Sequence, residues 1–209
     1  LITIILIMTT HLAFGQDFKN ELVIKDFLNN LKNSKIDTVL VYENGTIGST
    51  DPVVLTKEDS CFIYGETQFS YVIWRYNEND FITKLSTHDC YNYYTIQYDL
   101  TSLWNIYFEN IEKIKKEKIS LPQYIDKTDT LTICIDHYSY SRFMFINQCD
   151  SLLFEVSDFD LTKLVNGEFV NINYKHNKET TRNLIRDLID NEIQVIENKS
   201  LITRQDKYK

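Results

Sequence analysis

A chain of 209 residues, 43% hydrophobic and 25% charged, has the composition of an ordinary globule and is long enough to bury a core without staples. That composition excludes a disordered chain, a collagen-like repeat and a multi-span membrane protein. The net charge of −8 argues against nucleic acid as a partner, because a surface that tracks phosphates needs clustered Lys and Arg. The chain holds 25 Ile, 18 Asn and 17 Lys but only 5 Arg and a single Ala, Ala13. The abundant types have A/T-rich codons and the scarce ones G/C-rich codons. The Asn, Lys and aromatic content therefore reads as codon bias and not as a binding signature.

Leu1 to Met8 is almost entirely apolar, and Ala13 and Gly15 stand at the −3 and −1 spacing that a signal peptidase reads. The run is far shorter than the roughly 20 residues that span a bilayer. Residues 1–15 are expected to be a secretory signal peptide cleaved after Gly15, its basic start lying upstream of Leu1; a buried N-terminal strand is the other reading. No Cys stands at the cleavage point, which disfavours a lipid anchor. Residues 16–202 are expected to form a single α+β domain, secreted or periplasmic, with no integral membrane span after signal removal.

Along that domain, Asp17 to Asn33 reads as a helix, with Ile24, Phe27, Leu28 and Leu31 on one stripe. The period then shortens. Ile36–Tyr42 reads as a strand stopped by the turn signal Asn44-Gly45, and Val53–Thr56 and Cys61–Tyr64 follow. Phe69–Tyr76 alternates, with Tyr71, Ile73 and Arg75 on one face and Val72 and Trp74 on the other. A turn at residues 77–80 leads to Phe81–Ser86 and then to the β-rich run Tyr91–Tyr98, which together suggest an antiparallel meander.

The clearest helix has Leu100, Leu103, Trp104, Tyr107, Phe108, Ile111 and Ile114 on one face, and Asp99 or Thr101 to cap its start. Lys113, Lys115, Lys116 and Lys118 crowd its end, where the helix dipole accounts for them, and Pro122 marks the break. A second β group covers Leu131–Tyr138, Phe143–Asn147, Leu152–Val156 and Phe169–Tyr174. A final helix runs from Thr180 to Asn198 with Leu184, Ile185, Leu188, Ile189, Val195 and Ile196 inward. Residues 203–209 read as a frayed polar tail. The predicted class is α+β: an antiparallel, meander-type sheet with about three helices packed on a face, in the order helix, strands, helix, strands, helix.

The local chemistry that stands out surrounds the cysteines. An even number in an exported chain suggests disulfides. Three pairings of Cys61, Cys90, Cys134 and Cys149 are open. Cys61–Cys90 and Cys134–Cys149 are favoured because each brackets one β unit, although in a meander Cys61 and Cys90 would sit on strands separated by a third. Buried free thiols are the alternative. His88-Asp89-Cys90 and Cys134-Ile135-Asp136-His137 place Cys, His and Asp within four residues. Brought together, His88, Cys90, Cys134 and His137 suit a transition metal, and His88, Asp136 and His137 suit acid–base or nucleophilic chemistry. The spacing weakens both ideas, since on a strand Cys134 and Asp136 share a face and His137 points away. The sequence holds no Cys-x-x-Cys, no Gly-x-Ser-x-Gly elbow and no Gly-rich phosphate loop, and no cofactor is expected. Carboxylate pairs such as Asp158 with Asp160, or Asp187 with Asp190, fit acid–base work in glycoside cleavage, but an acidic chain produces them by chance.

Tyr91, Tyr93 and Tyr94, then Tyr138 and Tyr140, are dense enough to stack on sugar rings or anchor a protein; core packing is the plainer explanation. The leading expectation is a non-catalytic binding or interaction protein of the cell envelope or exterior, with a protein or carbohydrate partner. The alternative is an extracytoplasmic hydrolase or metal-dependent enzyme built on the His/Asp/Cys cluster. A third reading is an envelope-assembly part whose strands pair with another chain's edge.

Overall fold

The computed structural model describes residues 21–47, 69–86, 91–148, 150–165 and 169–206. In chain order they form α1 (Glu21–Asn33), β1 (Thr38–Ile47), β2 (Phe69–Tyr76), β3 (Asn79–Ser86), β4 (Tyr91–Tyr93), β5 (Ile96–Gln97), α2 (Thr101–Lys116), β6 (Gln123–Asp126), β7 (Asp129–Thr132), β8 (Tyr138–Asn147), β9 (Asp150–Ser157), β10 (Leu164–Val165), β11 (Phe169–Val170), α3 (Tyr174–Lys178), α4 (Thr181–Asn198) and β12 (Arg204–Asp206). Six strands make one antiparallel sheet in the order β5-β3-β2-β1-β8-β9, and β6–β7, β10–β11 and β4–β12 form separate two-stranded ladders. The α+β class read from the sequence is therefore correct. Among the described residues no helix is long and apolar enough to cross a membrane.

The sheet is built around strands that are apolar on both sides. In β1, Leu40 and Tyr42 face one core, and Val39 and Val41 face another. In β2, Tyr71 and Ile73 join the first, and Val72 and Trp74 the second. A strand buried on both faces belongs in the interior of a covered sheet. One face accordingly receives α2 and α4, through Leu103, Trp104, Tyr107, Ile114, Ile185, Ile189 and Ile196. The other receives α1, through Ile24 and Leu31, with Phe27 and Leu28 packed beside them. The expectation of helices on a single face is corrected by this arrangement. Its signal is the run Val39-Leu40-Val41-Tyr42, which leaves neither face of β1 polar.

Local signals explain several boundaries. After α1 the Ile36 N–H donates to the Leu31 carbonyl and the Lys35 N–H to the Lys32 carbonyl, with Lys35 at φ 60°; this is the Schellman closure of a helix. The β2–β3 hairpin turns on Asn77 and Glu78, both at positive φ (49° and 65°), as a two-residue hairpin that follows the strand twist requires. The start of α2 is held from two sides. The Asp99 carboxylate accepts from the Thr101 N–H at 3.0 Å, and the buried Asp80 accepts from the Leu100 N–H at 2.9 Å while Arg75 grips both Asp80 oxygens at 2.7 and 3.1 Å.

Other expectations are overturned. β1 does not stop at Asn44-Gly45 but runs to Ile47, because β8 offers ten consecutive partners, including Ser141 for Asn44 and Tyr140 for Gly45. Leu131–Tyr138 is not one strand: β7 pairs with β6 and β8 pairs with β1, so the chain changes partners across residues 133–137. Phe169–Tyr174 is cut short because the Asn171 side chain accepts from the Gln123 and Asn173 N–H groups and turns the chain into α3. Residues 204–206 are not frayed but pair with residues 91–93. In α4, Leu184 and Val195 are exposed at 51% and 37%. The expected segments 1–15, 53–56 and 61–64 lie outside the described residues.

Removing the Asp80 carboxylate leaves Arg75 and the first turn of α2 without their shared partner. Asp80→Ala is expected to cost about 2–4 kcal/mol in urea unfolding, and Asp99→Ala distinctly less. Equal losses in the two variants would contradict this account of the α2 start.

Candidate functional site

Of the residues selected from the sequence, Cys134, Asp136, His137 and the five tyrosines are among those described. Cys61, His88, Cys90 and Cys149 lie outside the described residues. Cys134 carries a free, exposed thiol; Cys149, with which it was expected to pair, is not among the described residues. Cys134, Asp136 and His137 sit on the link where the chain passes from the β6–β7 ladder to the main sheet, and the strand alternation assumed for them does not exist. His137 Nδ1 lies 2.7 Å from an Asp136 oxygen, and that bond holds the Asp136 carboxyl below its ordinary range. Both side chains stand in solvent, 65% and 92% exposed, so the pair lacks the enclosed, preorganised surroundings that acid–base chemistry uses. Among the described residues no three His, Cys, Asp or Glu side chains are grouped to hold a metal ion.

The tyrosines are likewise divided. Tyr91 and Tyr93 lie on β4, beside the β3 side of the sheet; Tyr138 and Tyr140 lie on β8, with β2 and β1 between. The Tyr93 ring sets its edge against Phe69, 6.1 Å between centroids. Tyr94 is 51% exposed, whereas Tyr140 is buried at 3%, its hydroxyl donating to Glu43 and its ring beneath the Arg142 guanidinium. Tyr140 is thereby removed from any stacking surface. β8 needs its alternate side chains to close the sheet, and Tyr140 fills one such place.

Polar side chains do converge beneath α4. Three tyrosine hydroxyls reach from the sheet side to helix carboxylates: Tyr42 to Asp190, Tyr71 to Glu197 at 2.7 Å, and Tyr98 to Glu192 at 2.7 Å. Burial, with the Asp190 charge adding, raises the Tyr42 phenol far above its ordinary value, and burial likewise raises Asp190. The Glu192 bond is the main cause that lifts Tyr98 to about 12. Arg186 compensates the charge, bonding Asp158, approaching Asp190 at 3.4 Å and donating to the Ser141 hydroxyl at 3.4 Å. Lys84 meets Glu197 at 2.9 Å, with its ammonium 3.9 Å from the Phe69 ring centroid. Apart from the Arg186–Asp190 approach within the helix, these contacts tie α4 to the sheet strands or to the segments beside them, so the array anchors α4. Asp158 and Asp190, each noted in the sequence as half of a carboxylate pair, are joined through Arg186 instead.

The opposite face carries a smaller charged group. Arg142 bonds Glu155 at 2.9 and 3.2 Å. Beyond it, burial, with the charge of Glu155 adding, pushes the Asp160 carboxyl up to about 6.

Several aliphatic side chains stand in water on and beside the two accessory hairpins. Ile125 is 61% exposed, Val170 58%, Ile172 47%, Leu164 45%, and Leu131 and Ile135 40% each. All four β7 residues are exposed. The hairpins brace each other: the Tyr124 and Phe169 rings stack at 4.2 Å, the Ile172 N–H donates to the Gln123 carbonyl at 2.8 Å, and Asn171 accepts from the Gln123 N–H at 3.2 Å. The sequence marked residues 131–138 and 169–174 as strands, but not their partners at 123–126 and 164–165, and could not show that these ladders leave the main sheet, which is what strands their aliphatic residues in water.

Comparison with family models, with curated proteins and with solved structures finds no match for the chain. The buried carboxyl supplies a test of the electrostatics. A carboxyl raised from 3.8 to about 6 binds its proton more tightly in the folded state, so its contribution to stability is fully present below 3.8 and is lost as pH rises through 6. Asp160→Asn is expected to raise the urea midpoint above that of the parent at pH 7–8, with the gain vanishing near pH 4. A pH-independent difference would contradict the assignment.

Proposed function

We propose that this chain is an exported, non-catalytic interaction domain of the cell envelope or exterior, which engages a protein partner through the aliphatic surface of its two accessory hairpins. The observation that carries the reading is the exposure of Ile125 on β6–β7 and of Leu164 and Val170, paired across β10–β11, with Ile172 following them, on a braced pair of ladders outside the main sheet. Isolated exposed aliphatics are ordinary, but a group of them on one substructure marks a surface that another molecule covers. A two-stranded hairpin is marginal by itself in water; here tertiary contacts hold it in place with its apolar residues outward. Aliphatic side chains also lack the flat faces on which sugars stack, which favours protein over carbohydrate. The leader-like sequence of residues 1–15 supports export.

Two linked measurements test the reading. In a bacterium expressing the chain behind a restored basic start, Met-Lys-Lys before Leu1, the exported product is expected to begin at Gln16 by intact mass; full-length chain retained in the cytoplasm speaks against export. A photo-crosslinking residue at Ile125 or Val170 is expected to give a discrete adduct with an envelope protein, and the same residue at the exposed Glu109 of α2 is expected to give none. Equal labelling from all three positions contradicts the proposed surface.

A further inference from the structure

A different edge of the molecule fits a second copy of this chain. β9 ends the six-stranded sheet, and among the described residues nothing pairs with its outer side. Its hydrogen-bonding phase can be read from one bond. The Asp158 N–H donates to the Ser139 carbonyl at 2.9 Å, in register with the β8–β9 ladder. Antiparallel pairs alternate between bonded and non-bonded, so Leu152, Phe154 and Val156 direct their backbone groups to β8. Ser151, Leu153 and Glu155 direct theirs outward. The edge lacks the lysine and proline guards against pairing, since Asp150–Ser157 contains neither, and Leu153 is 37% exposed.

We propose that two copies of this chain associate through antiparallel β9–β9 pairing about a two-fold axis at Leu153, extending the sheet across both. In this register Leu153 meets its own counterpart as a bonded pair, Ser151 opposes Glu155, and Leu152 opposes Phe154. Side chains keep their faces, so the core layer of one copy continues into that of the other. Other registers are worse: an axis at Glu155 sets like charges opposite each other, one at Phe154 sets Leu153 against the charged Glu155, and one at Ser151 or Leu152 carries the pairing past the end of the strand.

Charge selects the same arrangement. The Asp150 end of β9 lies beside the basic last turn of α2, where Lys115 reaches Asp150 at 2.9 Å and Lys116 follows. The Ser157 end carries Glu155, Asp158 and Asp160 against two cations, Arg142 on Glu155 and Arg186 on Asp158, and so keeps a net negative charge. Antiparallel pairing places the basic end of each copy beside the acidic end of the other, which is the complementarity that fixes orientation at an interface. The association is independent of the hairpin surface proposed above, on the far side of residues 158–163.

Sedimentation equilibrium of the purified chain, with amide exchange read by NMR, tests it. A monomer–dimer equilibrium with Kd of about 1–100 µM is expected. Protection of the Ser151, Leu153 and Glu155 amides should rise with protein concentration. Because Ser151 faces Glu155 twice in the dimer, Ser151→Lys is expected to tighten it and Ser151→Glu to weaken it, each about three- to tenfold. Ser151 is exposed, so both variants should keep the parent's circular dichroism and urea midpoint. A chain that stays monomeric to about 1 mM, a dimer indifferent to the sign of the charge at 151, or protection that does not depend on concentration would overturn the proposal.

Discussion

The ten-pair ladder between β1 and β8 is the contact on which the rest of the structure depends. It joins residues 38–47 to residues 138–147, so it closes about a hundred residues of chain. Neither half has a sheet to fold onto without it: β2 and β3 would lose one neighbour of the central strand, and β8 and β9 would be a lone hairpin, marginal by itself in water. Because both faces of β1 are apolar, this one pairing also commits the positions of the helices. α1 must lie on Val39 and Val41, and α2 and α4 on the side of Leu40 and Tyr42. Loop-closure entropy for such a long-range pairing is paid before its contacts form, and the burial on two faces at once is what offsets it.

The helix side of this sheet is not purely apolar, and that shapes α4. Tyr42 and Tyr71 present hydroxyls deep under the helix, where an unpaired O–H would cost about 1–3 kcal/mol. Asp190 and Glu197 satisfy them, and Arg186 and Lys84 balance those carboxylates. The helix therefore turns an acidic stripe inward between Ile185, Ile189 and Ile196. A set of partly buried ionisable groups of this kind adds orientation more securely than it adds stability. Its residues are spent on one another, which is why their raised phenol values describe a fastening and not a reaction centre.

That stripe also explains where sequence patterning failed. The rule that apolar residues face inward selected Leu184 and Val195, which are exposed, since a linear pattern cannot reveal that tyrosines from distant strands await carboxylates. The same rule succeeded where packing is simple: the β2 strand came out with its observed bounds and faces, and the α1 stripe of Ile24, Phe27, Leu28 and Leu31 is the buried one. Asn44-Gly45 misled because its local turn preference is outweighed by a full-length partner strand, whereas Asn77-Glu78 turns because nothing opposes it. At the site level, the cluster of Cys134, Asp136 and His137 was visible, but its exposure follows from a change of strand partners that only the tertiary structure decides. The apolar hairpin surface had no sequence signal, since exposed and buried strands of four residues read alike.

A sheet centred on β1 and β8 carries the β6–β7 and β10–β11 ladders outside its core. Native-state hydrogen exchange measures this distinction residue by residue. Amides of β1 and β8 are expected to exchange only through global unfolding, all with one free energy that follows denaturant with the full m value. Those of β6 and β7 are expected to exchange through local opening at a clearly lower free energy. If the hairpin amides exchange together with β1 and β8, the ladders are part of the core, and the description of them as an exposed interaction surface is contradicted.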